Sequence, residues 1–257
     1  MNILLVGASG AMGQAVVQYV AQTADRVTVV LQDKPNEQAS YEVFTSFETM
    51  SDYMVEHRDS VDVMIDFSTP NITNQVLEFA KEHRLPLMLA TTGQSEAQEV
   101  LIAETSQHVA IVDTHNTSIG VNVMQALVAQ MTKVLYPLGY DIEIIEKHHR
   151  YKKDSPSGTA KMILNAVQDN IDENTSVLGG REGLEYARPH TEIGVHAIRG
   201  GDIVGEHTIL FANNQETLEL THRAGTKDLF VRGALQAAHF LVDVAPGLYD
   251  MKDVIDL

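Results

Sequence analysis

Cysteine is absent from this 257-residue chain, which excludes disulfides, thiolate metal ligands and a cysteine nucleophile. A chain without cysteine fits a cytoplasmic protein, which is the location that we expect. Long apolar runs are also missing, because no stretch approaches the roughly 18 residues of a membrane-spanning helix. The opening residues 1–7 have no basic segment before their short apolar stretch, so we expect no signal peptide.

Positive charge is scarce as well. The chain has 18 Lys and Arg residues against 35 Asp and Glu residues, which gives a formal net charge of −17 at pH 7. Such a charge repels nucleic acid and anionic lipid, so we expect neither nucleic acid nor a membrane as a partner. Hydrophobic residues at 44% and a mean hydropathy of −0.09 are typical of a globular protein of one large domain or two unequal ones. Any anionic ligand must therefore be held by a local cationic pocket.

One segment concentrates these scarce cations. Residues 148–153 read His-His-Arg-Tyr-Lys-Lys, and residues 140–146 before them alternate polar and apolar side chains, as in a half-buried strand. Ser157-Gly158-Thr159 then opens a segment rich in Ala, Met, Ile and Leu, which is typical of a helix start. Backbone N–H groups at Gly158 and Thr159, at the start of a helix, suit a carboxylate or phosphate, and Lys152 and the His pair lie nearby in sequence. The segment predicts an anion site with a proton donor, and a solvated basic loop is the alternative.

The N-terminal region has the pattern of a dinucleotide-binding unit. An apolar strand, residues 1–6, runs into Gly7-Ala8-Ser9-Gly10-Ala11-Met12-Gly13 and then into a helix-spaced segment. The glycines allow a tight turn, so a pyrophosphate can lie on the helix N-terminus. A second strand, residues 26–31, ends at Gln32-Asp33, where an acidic residue would bind the adenosine ribose. A nucleotide-free α/β domain is the alternative.

The same alternation of strands and helices continues to residue 118. Apolar strands at 61–66, 85–90 and 109–112 alternate with helical spacing at 72–83 and 95–107. Ligands of open parallel sheets bind beyond the carboxyl ends of the strands, so Ala90 to Gly93 and Thr114 to Ser118 are candidate cofactor loops. Ordinary turn chemistry, which Thr, Asn and Ser favour, is the alternative.

A different pattern begins at Ile119. A long amphipathic helix reaches about Leu135, a second helix covers 158–170, and a polar passage from Asp172 to Pro189 predicts a loop. Three alternating stretches follow at 192–199, 203–211 and 217–221, and the turns between them are typical of a meander. We therefore predict an α+β domain with a mainly antiparallel sheet. The last long helix, Asp228 to Val244, could return to the first domain.

Several motifs together resemble the dihydrodipicolinate reductase family, also called 4-hydroxy-tetrahydrodipicolinate reductase, of bacterial lysine and diaminopimelate synthesis. The most specific is Glu-x-His-His-Arg-x-Lys-x-Asp-x-Pro-Ser-Gly-Thr at residues 146–159, behind the glycine turn at residues 7–13. The likeness covers essentially the whole chain and includes the segments 66–70, 91–93, 116–122, 198–207 and 221–224.

The resemblance implies a Rossmann-type domain at residues 1–118 plus 229–257 that binds NADH or NADPH. It implies that residues 119–228 bind a small cyclic dicarboxylate and assemble a homotetramer. His148 matches the family's proton donor and acceptor, Lys152 its second proton donor, and His149, Gly158 and Thr159 its substrate-binding positions, with no metal. For the coenzyme it implies Gly7, Ala8, Ser9, Gly10, Ala11, Met12, Asp33, Lys34, Ala90, Thr91, Thr92, Thr114, His115, Asn116 and Thr117.

Some positions depart from the family pattern. Ala11 and Gln14 stand where many members have Arg, which leaves Lys34 as the cation that we identify for a 2′-phosphate. We therefore expect both coenzymes to work. His115 and Thr117 replace residues that usually pack near the nicotinamide, so the packing of the ring can differ there.

Three other functions compete with this interpretation. Another NAD(P)-dependent amino-acid dehydrogenase would use the same coenzyme fold. A non-catalytic dinucleotide sensor would share the glycine turn but would not need His148, His149 and Lys152. A zinc hydrolase could draw on the 11 His residues, but no His-x-x-x-His helix or Cys set is present.

Overall fold

The computed structural model describes residues 1–36, 39–183 and 187–257, which divide into two compact units. Unit 1 consists of Met1–Ile119 and Lys227–Leu257, and unit 2 consists of Gly120–Thr226. The strands are β1 (Asn2–Val6), β2 (Arg26–Leu31), β3 (Glu42–Phe44), β4 (Val63–Asp66), β5 (Leu87–Leu89), β6 (Ala110–Asp113), β7 (Asp141–His148), β8 (Ser176–Leu178), β9 (Glu192–Arg199), β10 (Gly205–Asn213), β11 (Glu216–Ala224) and β12 (Gly247–Tyr249). The α-helices are α1 (Ala11–Val20), α2 (Phe47–His57), α3 (Thr73–Glu82), α4 (Glu96–Thr105), α5 (Ile119–Leu135), α6 (Gly158–Gln168), α7 (Asp228–Asp243) and α8 (Met251–Ile255), and short 3-10 turns cover Arg58–Ser60, Pro70–Ile72 and Tyr136–Leu138.

In the described part of unit 1, seven parallel strands form one sheet in the order β12-β6-β5-β4-β1-β2-β3. Strands of this kind are apolar on both faces, because helices cover both faces of a parallel sheet. Ile3 and Leu5 of β1 pack with α1 and α7 on one face. Leu4 and Val6 pack with α2 and α3 on the other. The predicted Rossmann-type parallel sheet is therefore confirmed.

The C-terminal segment completes the core of unit 1. Helix α7 buries a row of small and apolar side chains against the sheet, and β12 adds a parallel edge strand beside β6. Thr117 and α7 are in direct contact, because the Thr117 hydroxyl donates a 2.7 Å hydrogen bond to the carbonyl oxygen of Phe230. The C-terminal segment Lys227–Leu257 is thus part of the same compact unit as Met1–Ile119.

Unit 2 is built on a five-stranded sheet in the order β11-β10-β7-β9-β8, counted over the residues that the structure describes. Strand β7 alternates strictly between buried and partly exposed side chains. Its buried residues Ile142 and Ile144 pack with α5 and α6 in the core of this unit, and Glu146 and His148 continue the same face. The opposite face carries partly exposed side chains such as Glu143 and Ile145.

The sheet of unit 2 is mixed, since β7 pairs in parallel with β9 but antiparallel with β10. The predicted α+β unit is present, whereas the expected meander is wrong, because β7 lies between β9 and β10. The passage from Asp172 to Pro189 is not all loop, since the three residues of β8 pair with β9 at the sheet edge. Residues 184–186 of that predicted loop lie outside the described residues.

Candidate functional site

The glycine turn after β1 has a backbone that a side chain would disturb. Gly7 adopts a φ of +84°, and a Cβ atom there would lie 2.6 Å from the carbonyl oxygen of Phe67. The Gly7 N–H donates to Leu31 at the end of β2, and the Gly7 carbonyl accepts from the Gly10 N–H, both at 3.0 Å. The turn therefore delivers the chain directly to the N-terminus of α1, where Ser9, Gly10 and Ala11 are exposed and Ala8 and Met12 are partly or fully buried.

A cavity of about 480 Å³ lies beside this turn. It is lined by Gly7, Ser9 and Gly10 on one side and by Asp33 on another, with Phe67 and Ile72 among the apolar residues of its wall. The predicted pyrophosphate turn and the predicted ribose acid thus line one cavity. Its size and its mixture of apolar and polar lining residues fit the adenosine part of a dinucleotide. Lys34 is exposed beside Asp33, and its carbonyl accepts a 2.7 Å bond from the Gln32 side chain.

Asp66 joins two of the loops at this edge of the sheet. Its fully buried carboxylate accepts hydrogen bonds from the Thr91 hydroxyl at 2.7 Å and from the Ser68 N–H at 3.1 Å. Burial raises the pKa of Asp66, and the hydrogen bonds from Ser68 and Thr91 act against that rise. The Asp66 carbonyl also accepts from the Ala90 N–H. Ala90 and Thr91 are therefore held by the neighbouring strand, whereas Thr92 is exposed.

The loop after β6 is built from local hydrogen bonds. The Thr114 hydroxyl bonds the backbone of Asn116, and the Asn116 side chain accepts from the Ser118 N–H at 2.9 Å. Thr117 is buried, and its hydroxyl donates a hydrogen bond to the Phe230 carbonyl. His115 is exposed. This loop and the one after β5 follow neighbouring strands, so their ends lie at the same edge of the sheet. Asp113, just before the loop, has a buried Oδ1 atom with no hydrogen-bond partner among the described residues.

In unit 2, Glu146 lies at the centre of a hydrogen-bond network that includes residues of the cationic segment. Its carboxylate lies 2.6 Å from His148 Nδ1, within hydrogen-bond distance. It also accepts from the Ser157 N–H at 2.9 Å and from two guanidinium nitrogens of Arg199 at 2.7 and 2.8 Å. Burial by itself would raise the pKa of Glu146, but the bonds from Arg199, His148 and Ser157 outweigh it and lower the pKa below its ordinary value. The group is therefore an ionised carboxylate in a buried position, neutralised by Arg199.

The same network holds the start of α6. Ser157 precedes the helix and its hydroxyl accepts from the Ala160 N–H at 3.1 Å, as in a helix N-cap. This hydroxyl also bonds Nε2 of His207 at 2.9 Å, and the His207 ring lies edge-on to His148 with a centroid distance of 5.1 Å. Burial lowers the pKa of His207 to about 4. Gly158, at the first position of α6, is exposed, and a Cβ atom there would meet no atom within 4 Å.

The remaining predicted residues lie in the loop between His148 and α6. His149 is partly buried, and its buried Nδ1 has no hydrogen-bond partner in the part of the chain that the structure describes. Its carbonyl accepts from the Lys152 N–H at 3.1 Å. Lys152 Nζ forms a 2.9 Å ion pair with Asp154, and this hydrogen bond lowers the pKa of the Asp154 carboxyl. Arg199 also donates to the Asp154 carbonyl, so the guanidinium that neutralises Glu146 holds this loop. Thr159 lies in the first turn of α6.

Sequence reasoning did not assign roles to several residues of this network. Glu146 and Ser157 lie inside the segment that it singled out, and Arg199 and His207 lie in a segment that carries the resemblance. The proximity of Glu146 to His148 could have been predicted from sequence, because residues two apart on a strand lie on the same face. The contact of Arg199 with Glu146 joins residues 53 positions apart, and local pattern carries no sign of it.

Within the described ranges, no helix is long and apolar enough to cross a membrane. Residues 1–36, 39–183 and 187–257 also contain no group of three or more His, Asp or Glu side chains arranged to hold a metal ion.

The structure is similar to solved oxidoreductases over its whole length. A structure described as dipicolinate-bound dihydrodipicolinate reductase from Paenisporosarcina sp. TG-14 matches with a TM-score of 0.80 and 23% identity, covering 99% of each chain. A myo-inositol dehydrogenase from Corynebacterium glutamicum matches with a TM-score of 0.61 and 13% identity, covering 100% of this chain and 92% of that one. At these identities the matches establish the fold.

Sequence comparison is more specific. The family model "Dihydrodipicolinate reductase, N-terminus" matches residues 1–117, and "Dihydrodipicolinate reductase, C-terminus" matches residues 120–255. The 4-hydroxy-tetrahydrodipicolinate reductase of Clostridium novyi (strain NT) is 40% identical over 255 residues, 99% of this chain and 98% of that protein. The protein of the same name from Clostridium tetani (strain Massachusetts / E88) is 40% identical over 256 residues, 100% of this chain and 97% of that protein. This chain therefore belongs to the dihydrodipicolinate reductase family.

Proposed function

We propose that this chain is an NAD(P)H-dependent oxidoreductase that reduces 4-hydroxy-tetrahydrodipicolinate, also called dihydrodipicolinate, to tetrahydrodipicolinate in lysine and diaminopimelate biosynthesis. Relatives that carry the reductase name match it from end to end at 40% identity. The observation that carries the proposal is the buried pair of Glu146 and His148, placed beside the N-terminus of α6. It combines a group that can transfer a proton with a helix end that can bind an anion.

Unit 1 is the proposed coenzyme-binding domain. Residues 7–12 would receive the pyrophosphate of NADH or NADPH, Asp33 the ribose hydroxyls, and Lys34 a 2′-phosphate where one is present. The exposed parts of the loops at 90–92 and 114–117 would lie on the nicotinamide side. The cavity between the glycine turn and Asp33 fits this assignment. When bound, the coenzyme supplies the hydride.

Unit 2 is the proposed substrate-binding domain. A cyclic dicarboxylate needs cations and N–H donors, and the segment from His148 to Thr159 gathers both in a chain of strongly negative charge. Gly158 and Thr159 would offer N–H groups at the start of α6, where the helix dipole favours an anion. His149 would add a ring nitrogen, since its buried Nδ1 has no partner within the described residues.

His148 and Lys152 are the proposed proton donors. Reduction of a conjugated C=C/C=N ring leaves negative charge that must be neutralised by a proton, and an imidazole or ammonium can supply it. His148 is held at Nδ1 by Glu146, which leaves Nε2 for this exchange. Lys152 is held by Asp154 at the exposed side of the loop, so its ammonium can exchange one anionic partner for another.

The test is a reductase assay that follows coenzyme absorbance with freshly generated 4-hydroxy-tetrahydrodipicolinate and each coenzyme. We expect turnover with both coenzymes in the wild-type protein. His148→Gln and Lys152→Ala should each lower kcat by roughly 10²-fold or more, with coenzyme affinity nearly unchanged. Lys153→Ala is the matched control, because it removes an exposed cation of the same segment and should keep wild-type kcat. Coenzyme binding without turnover in the wild type would instead identify a dinucleotide sensor.

We also propose a homotetramer and a cytoplasmic location. The face of the unit 2 sheet opposite α5 and α6 carries partly exposed apolar and polar side chains, including Ile145 and Ile198, and such a face can be covered by another copy of the sheet. Light scattering at micromolar concentration should give the mass of four chains, and a clean monomer would contradict this assembly.

A further inference from the structure

We propose that Glu146 is a positioning residue that holds His148 as its Nδ1–H tautomer, so that Nε2 is the nitrogen that gains and loses the proton. The inference rests on the proposed function, because it names the residue that prepares His148 for the reductase reaction. Glu146 is 0% exposed and His148 is 8% exposed, so the contact between them is sheltered from solvent.

The donors around Glu146 determine which atom of this pair carries the proton. Backbone N–H and guanidinium groups can only donate, and Ser157 and Arg199 together present three such donors to the carboxylate. A carboxylate has about four lone-pair positions, and the fourth faces His148 Nδ1 at 2.6 Å. Because three positions already accept and the charge is balanced by Arg199, Glu146 stays ionised. The proton of the fourth hydrogen bond therefore lies on Nδ1.

The other ring nitrogen has a different environment. A Cβ atom built on Gly205 would lie 3.1 Å from His148 Nε2, so the glycine keeps this side of the ring uncrowded. Gly205 is paired with Ala224 on β11 and is buried, so another side chain at position 205 would be held against the nitrogen. Glu146 on β7 thus holds Nδ1 by a hydrogen bond, and Gly205 on β10 leaves room beside Nε2.

The neighbouring titratable groups do not replace Glu146 in this role. In the described residues, this face of the sheet and its loop carry Glu146, Arg199 on β9, His207 on β10, His222 on β11 and Lys152 after β7. Burial lowers the pKa of both His207 and His222, so both rings are neutral at neutral pH. The Nε2 atom of His207 is hydrogen-bonded to the Ser157 hydroxyl. The carboxylate that contacts His148 directly is that of Glu146.

The opposite face of β7 offers a matched control. Glu143 is also a carboxylate that accepts from an imidazole, since His196 Nε2 lies 2.7 Å away, and it also pairs with two arginines, Arg181 and Arg188. The residue type, the strand and the kinds of partner are the same, but the histidine is a different one. Glu143→Gln therefore removes one carboxylate charge from β7 without touching His148.

The direct measurement is the pair of imidazole ¹⁵N chemical shifts of His148 in the full-length protein, assigned by loss of the signal in His148→Gln. In the neutral wild-type ring we expect a protonated Nδ1 and an unprotonated Nε2. Glu146→Gln should mix the two tautomers or reverse them, because the amide can donate as well as accept, and Glu143→Gln should leave the His148 signals unchanged. A neutral wild-type ring that carries its proton on Nε2 would overturn the proposal without any need for a variant.

Kinetics supply a second readout that a merely structural role would not produce. Glu146→Gln should lower kcat by roughly 10²-fold or more, with less effect on the KM for the dicarboxylate. An unchanged kcat in Glu146→Gln, or a rise in KM with kcat unchanged, would overturn the role. A wild-type protein with the expected tautomer but no reductase activity would refute the proposed function alone.

Discussion

Asp113 gives a test of the electrostatics at the end of β6. Burial raises the pKa of its carboxyl from the ordinary 3.8 to about 6, and the charge of Glu99 adds to the rise, while His115 opposes it. A raised pKa means that the folded chain holds the proton more tightly than the unfolded chain. Asp113 therefore does not destabilise the fold below about pH 4, and it costs stability increasingly as the pH rises through about 6.

The shift in pKa sets the size of the effect. A change from 3.8 to about 6 corresponds to about 3 kcal/mol once the group is ionised in both states. Asp113 is partly exposed, and solvent screening reduces the cost to roughly 1 to 2 kcal/mol. Asp113→Asn removes the ionisation. Its stability relative to the wild type should thus rise by roughly 1 kcal/mol between about pH 4.5 and about pH 8.

The assay is urea unfolding of wild type and Asp113→Asn at both pH values, in the same buffer series. Any constant effect of the amide cancels when the two pH values are compared. Asp52→Asn is the control, because it makes the same substitution at an exposed position of α2. The reasoning is refuted if the difference between Asp113→Asn and the wild type is the same at both pH values.

Three further predictions concern ligands. Gly7→Ala should weaken NADH binding by at least tenfold in a fluorescence titration, because its Cβ would meet the Phe67 carbonyl and its φ of +84° disfavours alanine; wild-type affinity would contradict the role of the turn. Pyridine-2,6-dicarboxylate should compete with substrate in steady-state kinetics, and Thr159→Val should weaken it by removing a hydroxyl donor; noncompetitive inhibition that ignores this change would place the dicarboxylate elsewhere. Any NADPH preference should be small and fade with salt, and Lys34→Ala should shift it toward NADH by roughly tenfold or less, since one exposed ion pair contributes about 1 kcal/mol or less; a salt-insensitive preference above about a hundredfold would refute this.

The parts of the fold that follow from local pattern were predictable. The bounds of β2 and β9 agree with the sequence prediction residue for residue, and α5 spans the predicted 119–135. These segments have clear periodicity, which reports the buried face of an element directly. Between Lys34 and Ser60 no element was predicted, yet β3 and α2 lie there. β3 has three residues and lies at the sheet edge, so its sequence carries little periodic signal.

The order of strands in unit 2 was not predictable in the same way. The turn at Gly200-Gly201 is a local feature, and a local feature does not say which strands become neighbours. Here the turn packs against the end of β7, since the Gly200 N–H donates to the His148 carbonyl and the Gly201 carbonyl accepts from the Arg150 N–H. β7 supplies buried Ile142 and Ile144 to the core, and its place between β9 and β10 follows from that burial.

The candidate site, too, was predictable only in the parts that local sequence determines. Residue types and order pointed to His148, Lys152 and the start of α6, because cations and a helix start are visible in sequence. The residues that hold them come from separate strands. Arg199 and His207 reach the site through pairings of β9 and β10 with β7, which only the folded sheet establishes.

The C-terminal segment that completes unit 1 has a consequence for biosynthesis on the ribosome. Helix α7 supplies Val231, Ala234, Ala238 and Leu241 to one face of the parallel sheet, and β12 supplies an edge strand. Both emerge only after all of unit 2 has been translated, so during that interval one face of the nascent sheet is covered by α1 but not by α7, and one edge is unpaired. Unit 2, whose strands and helices are contiguous in the chain, can finish folding first. The domain that is encoded first is therefore the last to be completed.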